Sequence, residues 1–344
     1  SAQIDANEWL QKNNSTGDVK AKTTDTSKTE YFKVPAHIDF TANSQIGKIF
    51  YQKLVLENAK GQIAIRDEAI NLNNLFANLL GGSANISAKY DTKGKLHPDV
   101  TFAYDIKNFD FQQTVQVVEM SEKIAPVMRY VQGNFSSNLT GAGKLNPDMS
   151  VDYSSLKGDG KITIPTAKLV NLPVLDKVTQ LAKIPGLQNP ELKNAYTVIH
   201  FKDGRVNVDP TDLKFGNGYN INVSGSNGFD KSIDYDMRVD VPSKELGEAT
   251  ALAQNYLSKI PGLGARIPDV ISFPFKVTGT MQQPNVTLGK MSASGGSAKD
   301  VVKNVVQDVK QQVQQQIQQQ SQQQLNNTTK EAEDKIKGLF NFPH

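Results

Sequence analysis

Cysteine is absent from all 344 residues. Disulfide staples and thiolate metal sites are thereby excluded. No apolar run approaches the ~20 residues that a membrane-spanning helix needs, and no signal peptide opens the sequence. Ser1 begins inside a polar stretch, so the chain reads as a soluble piece of a longer protein whose anchor is expected upstream. Histidine is scarce: the 4 present, His37, His97, His200 and His344, lie far apart without metal-ligand spacing. Apolar residues make up only 38%, which is low for a compact globule of this length.

Catalytic signatures are missing too. Neither G-x-S-x-G nor G-x-G-x-x-G occurs. Gly141-Ala142-Gly143-Lys144 resembles a phosphate loop superficially, but Leu145 follows the lysine and Asn138 stands at the first glycine position. Asp234, Asp236 and Asp240 fall on the wet face of a strand, where solvation explains them better than acid–base work. The 38 basic and 35 acidic side chains are interspersed and leave a net charge of +3, without the basic stripe of a nucleic-acid binder. The expectation is a non-catalytic protein with no cofactor, no metal and no nucleic-acid partner.

What the sequence does contain is alternation. Ile233, Tyr235, Met237, Val239 and Val241 interleave with Asp234, Asp236, Arg238 and Asp240. Tyr219, Ile221 and Val223 interleave with Asn220, Asn222 and Ser224, and Phe273, Phe275 and Val277 with Pro274 and Lys276. A period of two predicts antiparallel strands with one apolar and one wet face. Helices interrupt the pattern. One is predicted over about Phe111–Ala125, capped by Asp110 and stopped by Pro126. A second starts near Pro173 and ends before Pro185-Gly186. A third starts after Ser243 and ends at Pro261-Gly262.

The chain also repeats itself. Leu56-Glu57-Asn58-Ala59 returns as Leu192-Lys193-Asn194-Ala195, and Arg66-Asp67 as Lys202-Asp203. Asn85-Ile86 returns as Asn220-Ile221, Asp105-Ile106 as Asp240-Val241, and Thr140-Gly141 as Thr278-Gly279. Residues 1–33 read as an N-terminal segment and polar linker, and 34–290 as a repeated β-rich domain. Repeat 1 spans about 46–150 and repeat 2 about 182–290. Residues 291–344 read as a Gly/Ser linker and a Gln-rich tail with Val301, Val305, Val309, Val313 and Ile317 at four-residue spacing. That tail is predicted to be an amphipathic helix, solvated or docked on a partner.

Several motifs carry a resemblance: Val34-Pro35 before Ile38 and Phe40, Asn58 to Ile63 leading to Arg66-Asp67, and Gly81-Gly82 before Ile86 to Tyr90. Phe201 to Val206 and Phe275 to Thr280 continue it. Together they resemble the C-terminal region of the AsmA-like family, in the form common among Bacteroidetes-type envelope proteins. That family is similar to the wider group of groove-forming lipid-transfer proteins. The resemblance implies a place in outer-membrane biogenesis or lipid transport between membranes. It also implies a periplasmic or cell-envelope location, and anchoring in the inner membrane through a helix outside this chain.

The expected architecture is mainly β with a few short helices. A curved antiparallel sheet forms a trough or incompletely closed barrel, built from two related repeats, with a C-terminal amphipathic helix. Lipid or fatty-acyl chains are the expected partner, with an envelope protein on the helical tail as a further one. Ile221, Val223, Tyr235, Met237, Val239, Phe273, Phe275 and Val277 are the candidate groove residues. The alternative is a structural or interaction module with a closed core and a partner-binding tail.

Overall fold

The computed structural model describes residues 3–5, 7, 31–94, 97–118, 120–184, 186–215, 218–247, 269–289 and 292–293. The chain divides into two units, residues 1–291 and 292–344. Of the second, only the short strand Ser292–Ala293 is described. Residues 8–30 of the N-terminal segment and linker predicted over 1–33, the tail helix and most of the third predicted helix lie outside the described residues.

The first unit is mainly β, with few helices on one large, curved, unclosed sheet. Its strands are β1 (Gln3–Asp5), β2 (Phe40–Tyr51), β3 (Leu54–Arg66), β4 (Ala69–Leu79), β5 (Gly82–Asp91), β6 (Asp99–Asp110) and β7 (Val131–Leu145). They continue as β8 (Val151–Leu169), β9 (Glu191–Lys202), β10 (Arg205–Lys214), β11 (Asn220–Gly228), β12 (Ser232–Pro242), β13 (Val270–Thr280) and β14 (Pro284–Leu288). Each strand pairs with its neighbours in sequence, from β1 at one end to β14 at the other. All these pairs are antiparallel except β1 with β2.

Two-residue turns join several hairpins. Asp67-Glu68 (φ 54° and 59°) and Asp203-Gly204 (φ 54° and 69°) are both left-handed, as the twist of a tight hairpin requires. Across the sheet one row runs Ile63, Leu72, Ala88, Phe102, Gly141, Gly158, Phe201 and Val206. Every position is apolar or glycine, so period-two alternation places one continuous apolar face on one side. Gly141 is needed there: a Cβ would lie 2.6 Å from the Phe102 ring.

Curvature comes from bulges. Register slips between Leu72 and Leu75, between Ile106 and Phe109, between Gly133 and Ser136, and between Val208 and Thr211. Each extra residue bends its strand and increases local twist. The bent sheet brings Tyr153 of β8 against Phe229, just after β11, with ring centroids 4.7 Å apart.

The helices lie on the apolar side. The first predicted helix is in fact three pieces: α1 (Phe111–Val117), α2 (Ser121–Ile124) and a 3-10 turn (Pro126–Tyr130). Asp110 does cap α1, its carboxylate accepting from the Gln113 N–H at 2.7 Å. Pro126 opens the 3-10 turn rather than stopping a continuous helix, because the chain has already left helical geometry at Val118 (φ −97°, ψ 93°). Helix α3 (Pro173–Ala182) starts on its proline and ends at Lys183 in the left-handed conformation. It buries Val174, Leu175, Val178 and Ala182 and rests against β13 and β14.

Coverage is uneven. Phe201, Val206, Ile233 and Val239 of the later strands are buried. Ile63, Ile65, Ile70, Leu72 and Phe102 of the earlier strands are only half-buried, and Ile86 is exposed.

Candidate functional site

Between the curved face of β7–β13 and the elements α1, α2 and α3 lies a cavity of about 270 Å³. That is just below the range of about 300–1,000 Å³ typical of small-ligand pockets. Its walls are almost wholly apolar. Ile162 and Ile164 come from β8, Ile199 from β9, Val206 and Val208 from β10, and Phe111, Pro126, Met128 and Leu175 from the helical side.

Four polar side chains of the wall, Asn227, Tyr235, Thr197 and Thr211, are bonded to one another or to backbone. The Tyr235 hydroxyl donates to Asn227 Oδ1 at 3.0 Å. The Asn227 amide nitrogen donates to the carbonyls of Ile124 and Lys123, at 2.9 and 3.3 Å. Thr197 and Thr211 share a hydrogen bond at 2.7 Å. Burial pushes the Tyr235 hydroxyl up to about 12, so it stays neutral and lends the cavity no charge at ordinary pH.

The eight sequence-predicted residues sort by register. Gly225, Tyr235 and Val277 form one cross-strand row, Val223, Met237 and Phe275 the next, and Ile221, Val239 and Phe273 the third. Ile221, Val223, Tyr235, Met237 and Val277 line the cavity. Val239, Phe273 and Phe275 are buried at 0–3% exposure and do not reach it. The open space therefore lies towards the Tyr235 end of these strands, with packed core towards Val241.

The walls supplied by β8, β9 and β10 and by the helical elements are not among the eight predicted residues. Ile162 with Ile164, and Val206 with Val208, carry the same alternation, and that signal marks them. Nothing in the local pattern marks Pro126 or Met128, which enter the wall only because the segment before β7 crosses the concave face.

On the opposite face His200 bridges two carboxylates, with Nδ1 2.6 Å from Asp159 and Nε2 3.2 Å from Asp209. Its hydrogen bond to Asp159, then that to Asp209, raises its pKa above the ordinary imidazole value. Among the described residues no cluster of three His, Asp or Glu side chains is placed to hold a metal ion. No helix among them is long and apolar enough to cross a membrane.

No family model, curated protein or solved structure matches this chain.

Proposed function

We propose that this protein holds a hydrocarbon chain without bond chemistry, as a lipid-binding component of the cell envelope. The observation that carries this reading is the cavity itself: space lined by apolar side chains, in which Asn227, Tyr235, Thr197 and Thr211 are already paired. Keeping a ~15-methylene chain out of water is worth about 12 kcal/mol, at roughly 0.8 per methylene. A cavity of about 270 Å³ suits a single chain better than a two-chain lipid. The half-buried apolar strip of β3–β6, on the same face of the sheet, offers a lining for the remainder of a long chain.

The resemblance to the AsmA-like C-terminal region supports the same assignment. A periplasmic location, an anchor outside this chain and a part in outer-membrane biogenesis or lipid movement between membranes are proposed with it. Two related repeats form part of the proposal. Supporting them, Ile65 faces Ile70 as Phe201 faces Val206, and Asn85 faces Asp105 as Asn220 faces Asp240. The bulge between Leu72 and Leu75 has its counterpart between Val208 and Thr211. Asn58 and Asn194 are both left-handed, at φ 52° and 50°. A scaffold role is the second reading, favoured by Val239, Phe273 and Phe275, whose close packing leaves no room at that end.

The test is native mass spectrometry after gentle purification, combined with uptake of a fluorescent fatty acid. Bound lipid or saturable uptake, lowered several-fold by Val223→Trp with the fold intact, is expected. Absence of both signals leaves the scaffold reading.

A further inference from the structure

Strand β2 is long, and among the described residues only part of its outer edge is paired. β1 pairs with Lys48, Ile49 and Phe50 alone. Among the described residues, Phe40–Gly47 has β3 on one side and no strand on the other. A free edge presents unpaired N–H and C=O groups, and proteins guard such edges with charge, with proline or by keeping the strand short. The Phe40–Gly47 segment contains no charged residue and no proline. The charges flanking it are engaged with β3, Asp39 with Arg66 at 2.8 Å and Lys48 with Glu57 at 3.0 Å. At the other end of the sheet, β14 is 5 residues long and opens on Pro284.

Exposed apolar side chains are distributed with the same asymmetry. Ile4, Ile38, Phe40, Tyr51 and Val55 stand exposed on β1, β2, β3 and the approach to β2. Among the described residues of β10–β14, no large apolar side chain is exposed.

A row of amides ends at this edge. Asn73 donates to Gln62 Oε1 at 3.0 Å, and Gln62 donates to Asn43 Oδ1 at 3.0 Å. The row is directional, and its last donor, the Asn43 amide nitrogen, stands at the rim of the sheet.

We infer that β2 is a docking edge for a second copy of this chain, the two β2 strands pairing antiparallel about a two-fold axis at Asn43. That register opposes Asn43 to Asn43, Ala42 to Ser44, Thr41 to Gln45 and Phe40 to Ile46. No like charges meet. Each opposed pair falls on a single face of the sheet, because period-two alternation keeps Phe40, Ala42, Ser44 and Ile46 together. Phe40 with Ile46 is an aromatic and β-branched pair of the stabilising kind. Each Asn43 nitrogen gains the oxygen of the other, whose second lone pair is available, so the amide row continues into the second copy. A two-fold axis normal to the sheet keeps both apolar faces on one side and closes the assembly at two chains. The inference stands apart from the acyl-chain reading, since it uses only the edge.

The experiment is sedimentation of the whole chain over a concentration series, with cross-linking. The absence of native cysteine means that a single introduced thiol can form a disulfide only between copies. The unsubstituted chain is expected to reach twice the mass of one chain. Asn43→Lys, which opposes like charges at the axis on an exposed position, is expected to return it to one-chain mass with a melt that stays cooperative but no longer depends on protein concentration. Asn43→Cys is expected to cross-link on mild oxidation, and Thr41→Cys far more slowly. A one-chain mass throughout overturns the inference, whether the edge is covered by another part of the chain or awaits a different protein. A dimer indifferent to Asn43→Lys also overturns it, as does an open series of larger species, which indicates β2-to-β14 stacking.

Discussion

Asn227 of β11 is tied to Ile124 of α2 across the concave face: its amide nitrogen donates to the Ile124 carbonyl at 2.9 Å, although 103 residues separate the two. The same side chain accepts from the Tyr235 hydroxyl at 3.0 Å. Asn227 is buried at 3% exposure, so losing it leaves a buried hydroxyl and two carbonyls short of a partner. Asn227→Leu is expected to destabilise the fold by about 1–3 kcal/mol, measured by chemical denaturation. Hydrogen exchange is expected to quicken in 121–130 before it does in β12. A loss of protection spread evenly over the unit would show that this bond is not what fastens the crossing segment.

Packed and open ends of the same strands respond differently to truncation. Phe273 is fully buried, and Phe273→Ala is expected to cost about 3–5 kcal/mol. Val223 faces existing space, so Val223→Ala removes fewer contacts and costs much less. Paired thermal and denaturant melts of the two variants check the ordering. Equal costs would mean that the cavity is closed in solution.

Much of this fold was legible in the sequence. The alternation around Tyr235 marks β12, and the Asp-Gly turn at Asp203 marks the hairpin that follows β9. Pro173 marks the start of α3. These signals are local, and each comes from one backbone or burial preference. The break in the first helix at Val118 was not legible, since the surrounding residues suit a helix and the tertiary path decides otherwise. Curvature was illegible for a related reason. It depends on single residues at or beside bulges, such as Asn58, Asn74 and Asn108, all left-handed. Asparagine tolerates that conformation but does not demand it. The cavity wall inherits the difficulty: Val239 and Val223 have the same alternation, and only the bend and the helices decide which faces open space.

The bridge at His200 predicts a pH effect. Its pKa is raised in the folded protein, chiefly by Asp159 and then by Asp209. A raised folded-state value means that the bridge contributes fully below the unfolded value of 6.5 and is lost as pH rises through the folded value. His200 is 39% exposed, so screening keeps the effect small. Melting temperature is expected to decline slightly from about pH 6.5 upward, and His200→Gln is expected to remove that decline. In an NMR titration, Asp159→Asn is expected to lower the imidazole pKa more than Asp209→Asn does.

The hairpin turns at Asp67-Glu68 and Asp203-Gly204 allow an exchange experiment. Both second positions are left-handed, at φ 59° and 69°, where a side chain costs roughly 1–2 kcal/mol and glycine costs nothing. Glu68→Gly relieves that strain. It also loosens the unfolded chain, which opposes the gain by about 0.4–1 kcal/mol, and it gives up a 3.9 Å contact with the exposed Lys33 amine. A net stabilisation below about 1 kcal/mol is therefore expected. Gly204→Glu is expected to destabilise by a similar amount, because nothing lies within 4 Å of a Cβ placed there and only backbone strain is added. If the two hairpins are copies of one unit, the two changes should be close to equal and opposite in urea denaturation. A large cost for Gly204→Glu with no gain from Glu68→Gly would mean that the first turn has other supports, and the turns would then count as separate solutions to the same geometry.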